Sequence, residues 1–113
     1  MEEDTRMAKY LIQTAYTPEA WKAMIGSPQD RLEKVRPAIE KLGGSLETGY
    51  LAFGEYDLVA VVDFPDNQSA AAFAVSVAAG GSVKAFKTTP LMTMDEAVAA
   101  MEQAQGSAYA PPK

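Results

Sequence analysis

The sequence contains no cysteine and no histidine. The first absence excludes a thiol nucleophile, a disulfide, a zinc finger and an iron–sulfur cluster. The second removes the commonest acid–base side chain near neutral pH, and with it imidazole ligation of haem or metal. Basic residues are also scarce where they would matter. Between Leu42 and Val83 there is no Lys or Arg, while Glu47, Glu55, Asp57, Asp63 and Asp66 all fall there. The whole chain carries 10 basic and 15 acidic residues, a net charge of −5. Phosphate affinity rests on Lys and Arg releasing counterions, so nucleic acid is not an expected partner. An anionic membrane surface is excluded on the same ground. No apolar run approaches the ~20 residues of a membrane span. The stretch Met1-Glu2-Glu3-Asp4-Thr5-Arg6 is acidic and lacks an apolar h-region, so it does not read as a signal peptide, and the expected compartment is the cytoplasm.

What is present suits one globular domain: 113 residues, 48% hydrophobic and 22% charged. Residues 1–6 are polar and aperiodic and read as a disordered extension. Residues 7–105 read as the domain and residues 106–113 as a flexible tail. There is no internal repeat. Lys9 to Tyr16 alternates as a strand, with Tyr10, Ile12, Thr14 and Tyr16 on one face and Leu11, Gln13 and Ala15 on the other. Thr17-Pro18-Glu19 starts a helix, with Thr17 as cap and Pro18 where no donor is needed. Gly26-Ser27-Pro28 breaks that helix and restarts it, with Ser27 as the expected second cap and Asp30 in the first turn. Leu32, Val35, Ile39 and Leu42 form a helical stripe, with Pro37 expected to kink it and Gly43-Gly44 to end it.

Ser45–Phe53 and Asp57–Phe64 read as a hairpin joined by a two-residue turn at Gly54-Glu55. That register pairs Phe53 with Tyr56, Ala52 with Asp57 and Tyr50 with Val59. Asn67 to Ala79 is Ala-rich with Phe73 and Val77 spaced as on a helix, and Gly80-Gly81 stops it. Ser82 to Thr89 is the fourth strand, ended by Pro90. Thr93 and Glu96 form a capping box for a last helix, with Val98 and Met101 expected to face inward. The order is βαββαβ plus a C-terminal helix: an α+β, ferredoxin-like pattern with a four-stranded antiparallel sheet and the first and third strands central.

The hairpin register sorts the sheet faces. Leu51, Phe53, Leu58, Ala60, Val62 and Phe64 would hold the helices. The other face would carry Thr48, Tyr50, Ala52, Asp57, Val59, Val61 and Asp63, with Leu11, Gln13 and Ala15. A face open to water should alternate to polar, and this one does not. Either it is a tolerated semi-apolar surface, with or without the C-terminal helix over it, or a second copy of the chain packs on it, giving a dimeric α/β-barrel-like assembly.

Four segments carry a family resemblance: Met7-Ala8-Lys9-Tyr10-Leu11-Ile12-Gln13 with Tyr16-Thr17; Trp21-Lys22-Ala23; Phe53-Gly54-Glu55-Tyr56-Asp57; and Lys87-Thr88-Thr89-Pro90-Leu91. Together they make the chain resemble the GYD-domain family from about Met7 to Met101. The name motif stands here as Gly54, Tyr56 and Asp57, with Glu55 interposed. The resemblance implies a ferredoxin-like fold and a dimeric α/β-barrel-like assembly, and it brings no reaction with it.

The candidate catalytic residues are Glu55, Tyr56 and Asp57. A carboxylate raised in pKa could act as base and a tyrosine could donate to an oxyanion; the plainer reading is turn chemistry, or an interface role for Asp57. The candidate ligand-binding residues are Tyr10, Gln13, Tyr16, Trp21, Lys87 and Thr88. Tyr10, Tyr16 and Trp21 could line a pocket between helix and sheet, or could be core. Lys87 and Thr88 could join Lys9 and Asp63 around a small anion, or the charges could be surface ion pairs. Met92, Met94 and Met101 read as packing. No loop has Ca²⁺ or Mg²⁺ ligand spacing, and neither glycine pair fits a nucleotide-binding loop, so no metal and no cofactor is expected. The favoured function is a homo-oligomeric small-molecule-binding or accessory module. The alternative is a cofactor-independent enzyme of the dimeric α/β-barrel type using carboxylate and tyrosine acid–base chemistry. A purely oligomeric scaffold is a third.

Overall fold

The computed structural model describes residues 7–113, so the extension at 1–6 lies outside the described residues. In chain order the described residues form β1 (Ala8–Tyr16), α1 (Pro18–Gly26), α2 (Arg31–Lys41), β2 (Ser45–Leu51), β3 (Leu58–Phe64), α3 (Asn67–Ala79), β4 (Val83–Leu91) and α4 (Met94–Gln105). The strands make one antiparallel sheet in the order β2-β3-β1-β4, with β1 and β3 central. This is the ferredoxin-like α+β fold.

The helix starts follow capping chemistry. Thr17 caps α1 by accepting from the Ala20 amide at 3.1 Å. The cap of α2 is Asp30, which accepts from the Glu33 amide, and Ser27 instead closes the end of α1. A carboxylate is a strong cap, and Pro28 favours an extended residue before it, which delays the restart. The second helix runs from Arg31 to Lys41 straight through the exposed Pro37. It stops at Gly43, whose φ of +84° suits a residue without a side chain.

The core lies between one face of the sheet and helices α2 and α3. Tyr10, Ile12, Ala60, Val62 and Phe64 face Ile39 of α2 and Ala70 and Phe73 of α3. An aromatic chain crosses it: Tyr10 to Phe64 at 5.9 Å, Phe64 to Phe73 at 5.8 Å, and Phe73 to Phe86 at 6.2 Å. The Tyr10 hydroxyl donates to Asn67 at the start of α3, which satisfies the polar end of a buried ring.

The hairpin differs from the sequence expectation. Tyr50 pairs with Val59 as expected, but the strands end at Leu51 and Leu58. The Gly54 φ is not positive, so the two-residue turn is absent and residues 52–57 form a wider loop. The cause is Asp57. Its carbonyl still accepts from the Ala52 amide at 2.7 Å, but its own amide donates to Thr14 at 2.8 Å. The start of β3 is thus drawn onto β1, and Phe53 is left 96% exposed rather than packed under a helix.

A bulge at Glu47 shifts the β2–β3 register between Leu46 and Thr48. A strict alternation through Gly49 and Leu51 would put Leu46 on the open face. The extra residue reverses the parity, so Leu46 enters the core, 8% exposed, and Glu47 stays at the surface. Two further corrections concern the C-terminal part. Pro90 lies inside β4 rather than ending it, which an edge strand tolerates because one row of its donors has no partner. Helix α4 has the expected capping box of Thr93 and Glu96, yet no residue of it is buried. Val98 and Met101 are 49% and 61% exposed instead of facing inward.

Candidate functional site

A cavity of about 200 Å³ opens between the sheet and the helices. Ile12, Ala60 and Val62 form its floor, Leu32 and Val35 of α2 one wall, and Phe73 and Val77 of α3 the other. Those walls are apolar because they are the flanks of the core stripe that packs α2 and α3 onto the sheet. Its polar end is built where β1 stops and α2 begins, from Tyr16, Arg31 and Ser82.

Each polar group is held from behind. Tyr16 is the last residue of β1, and its amide donates to the Asp57 carboxylate at 2.9 Å. Its ring meets Trp21 edge-on at 5.6 Å and 81°. Burial pushes the Tyr16 hydroxyl above its ordinary pKa; the Arg31 guanidinium pulls the other way and the Asp57 charge adds to the rise. The hydroxyl is therefore a firm donor at neutral pH. Arg31 is the first residue of α2, placed by the Asp30 cap, and its Nη1 donates to Gln29 Oε1 at 3.1 Å. Among the described residues it forms no ion pair. Leu32, next to it, fits closely against β2: a Cβ on Gly49 would sit 2.8 Å from Leu32 Cδ1.

The sequence-derived candidates scatter around this cavity. Tyr16 lines it, and Trp21 backs Tyr16 and faces an outer groove shared with Met24 and Tyr50. Tyr10 is 3% exposed in the core, bonded to Asn67. Thr88 lies opposite Ile12, and its buried Oγ1 has no hydrogen-bond partner. Gln13 and Lys87 pair with each other on the opposite face of the sheet. Glu55 is exposed, Tyr56 half-buried, and Asp57 binds backbone.

The second constellation divides. Lys9 bonds Asp63 at 3.0 Å and Glu47 at 2.5 Å, and these two carboxylates, Glu47 first, raise its pKa. Lys87 does not join them. It stands opposite Gln13, four residues along β1 from Lys9, or about 13 Å at the rise of a strand. Among the described residues, no group of three or more acidic side chains is arranged to hold a metal ion. No described helix is long and apolar enough to cross a membrane.

Sequence reasoning missed Arg31, Ser82 and the α2–α3 walls. A single Arg at the start of a helix carries no signal of its own, and its role appears only when the loop 27–30 folds it toward Tyr16.

Fold and site together define the class: a ferredoxin-like α+β domain with a small cavity between its sheet and its helices. A family model for the GYD domain matches residues 10–101, from β1 to within α4. The chain belongs to the GYD-domain family. Neither a curated protein nor a solved structure matches it.

Proposed function

We propose that the protein is a cytoplasmic, homo-oligomeric module that binds a small molecule in the cavity between sheet and helices. The observation that carries this reading is the cavity itself: apolar walls converging on one polar end, the usual composition of a small-molecule site. In this reading the motif loop is a support. Asp57 positions Tyr16 by holding its amide, and Glu55 stays in solvent.

Self-association is supported by what the single chain leaves uncovered. The face turned from the helices carries Leu11, Val59 and Val61, half-buried, beside Tyr50, 71% exposed. A second copy is the occupant, because the same patch on two chains related by a two-fold axis is self-complementary. The radius of gyration, 17.5 Å, exceeds the ~13 Å of a compact chain this long. Met94, Val98 and Met101 form an exposed stripe on α4, further apolar surface for the partner copy.

Two measurements test the reading. A thermal-shift screen of metabolites should yield stabilising ligands, since binding to the folded state raises the melting temperature; a null result across a broad set of compact apolar metabolites would contradict it. Light scattering at micromolar concentration should give a multiple of 12.1 kDa, and a monomer would remove the sheet-to-sheet assembly.

A further inference from the structure

Among the described residues, Arg31 is the one charged residue that lines the cavity. Among the described residues it has no carboxylate partner, in a chain where acidic residues outnumber basic ones 15 to 10. Its bonded neighbour, Gln29, is neutral. Arg36, on the same helix, shows the ordinary alternative: its Nε and Nη2 hold Glu33 at 3.3 and 2.9 Å. A guanidinium at the end of an apolar cavity whose partners among the described residues, Gln29 and the Tyr16 hydroxyl, are neutral keeps its charge for an anion. The volume limits what can accompany that anion. A dry cavity of about 150 Å³ takes a benzene ring, so about 200 Å³ takes one ring, or a chain of similar bulk, with one head group.

We infer that the cavity takes a compact apolar monocarboxylate, its body against Ile12, Leu32, Val35 and Phe73 and its carboxylate on the Arg31 guanidinium. This rests on the small-molecule reading and names the class of ligand. A guanidinium matches a carboxylate in a two-pronged geometry that neutral head groups cannot copy. The Tyr16 hydroxyl, kept protonated by burial, adds a donor at the same end. A dianion such as phosphate fits less well, because one guanidinium would have to offset the desolvation of two charges beside apolar walls.

The test is calorimetric titration of the full chain with benzoate and with benzamide, which share shape but not charge. Wild-type protein should bind benzoate at least about tenfold more tightly than benzamide, the scale of one charge-assisted hydrogen bond. In Arg31→Met that preference should vanish, with benzamide affinity kept within about twofold; Arg31→Lys should keep part of it. Arg36→Met should behave as wild type. Equal binding of the two probes to wild type, or a preference that survives Arg31→Met, would overturn the class of ligand while leaving a binding cavity. Binding of neither probe to wild type also overturns the monocarboxylate class, and the metabolite screen then decides the broader reading by itself. Far-UV circular dichroism of each variant separates lost binding from lost fold.

Discussion

Asp57 shows how one side chain can be misjudged from sequence. Its place in the family motif, beside a tyrosine and a second acid, reads as acid–base chemistry. In the fold its carboxylate accepts from the Tyr16 amide and its own amide donates to the Thr14 carbonyl, so it joins the start of β3 to the end of β1. Replacing it by Ala should loosen the end of β1 and weaken ligand binding through Tyr16. Replacing Glu55 by Gln should change neither stability nor binding measurably, because Glu55 is exposed. Parallel melts and titrations of the two variants check this; equal effects would contradict it. Tyr16 has its own signature. Its raised pKa means the folded state favours the protonated phenol. The stability this contributes is fully present below the unfolded value near 10 and is lost as pH rises through the raised folded value. Because the Arg31 guanidinium lowers that pKa, Arg31→Met should move the latest tyrosine transition in an ultraviolet pH titration still higher. A transition that stays put would show that Arg31 does not face the hydroxyl.

At the scale of elements, most of the fold was legible in the sequence. Alternation located β1, the three- and four-residue spacing of Leu32, Val35, Ile39 and Leu42 located α2, and the Thr93–Glu96 box located α4. What was not legible depends on contacts between distant segments. The Glu47 bulge cannot be read from β2 alone; it exists because Leu46 must enter the core while Thr48 and Tyr50 stay on the other face. The hairpin tip widened because β1 competes for Asp57. The periodicity of α4 predicts an inward face, yet among the described residues none of its side chains is buried. Its independence is testable. Thr93→Ala removes the cap, a loss of about 1 kcal/mol in a typical helix. Hydrogen exchange should then speed up through α4 and stay unchanged in β1, β3 and α3. By contrast Phe64→Ala, at a fully buried position, should destabilise the whole domain by about 3–5 kcal/mol in denaturant melts.

At the scale of the whole molecule, the candidate site emerges from assembly rather than from any segment. The sequence named Tyr16 and Trp21 for a pocket between helix and sheet; Tyr16 lines the cavity, while Trp21 packs behind it and faces the outer groove. It did not name Arg31, since nothing local marks an arginine that, among the described residues, folding leaves without a carboxylate. The lack of His and Cys now has a structural counterpart: the polar end of the cavity is the Tyr16 phenol, the Arg31 guanidinium and the Ser82 hydroxyl, a set suited to holding a ligand. The uncovered sheet face belongs to this scale too. Val59→Lys places a charge on that face and, if two copies meet there as proposed, should give a monomer in light scattering while leaving the helix-side core intact; a wild-type multimer whose mass the variant keeps would contradict a contact through this face. Filling the cavity tests whether it is the binding site. Val35→Phe adds bulk to the wall formed by α2, and the compounds that stabilise the wild type should be titrated against it by calorimetry. Affinity should fall at least about tenfold with the fold retained, as a blocked apolar cavity requires. Undiminished affinity in the filled variant would mean that the ligands bind elsewhere and that this cavity is not the site.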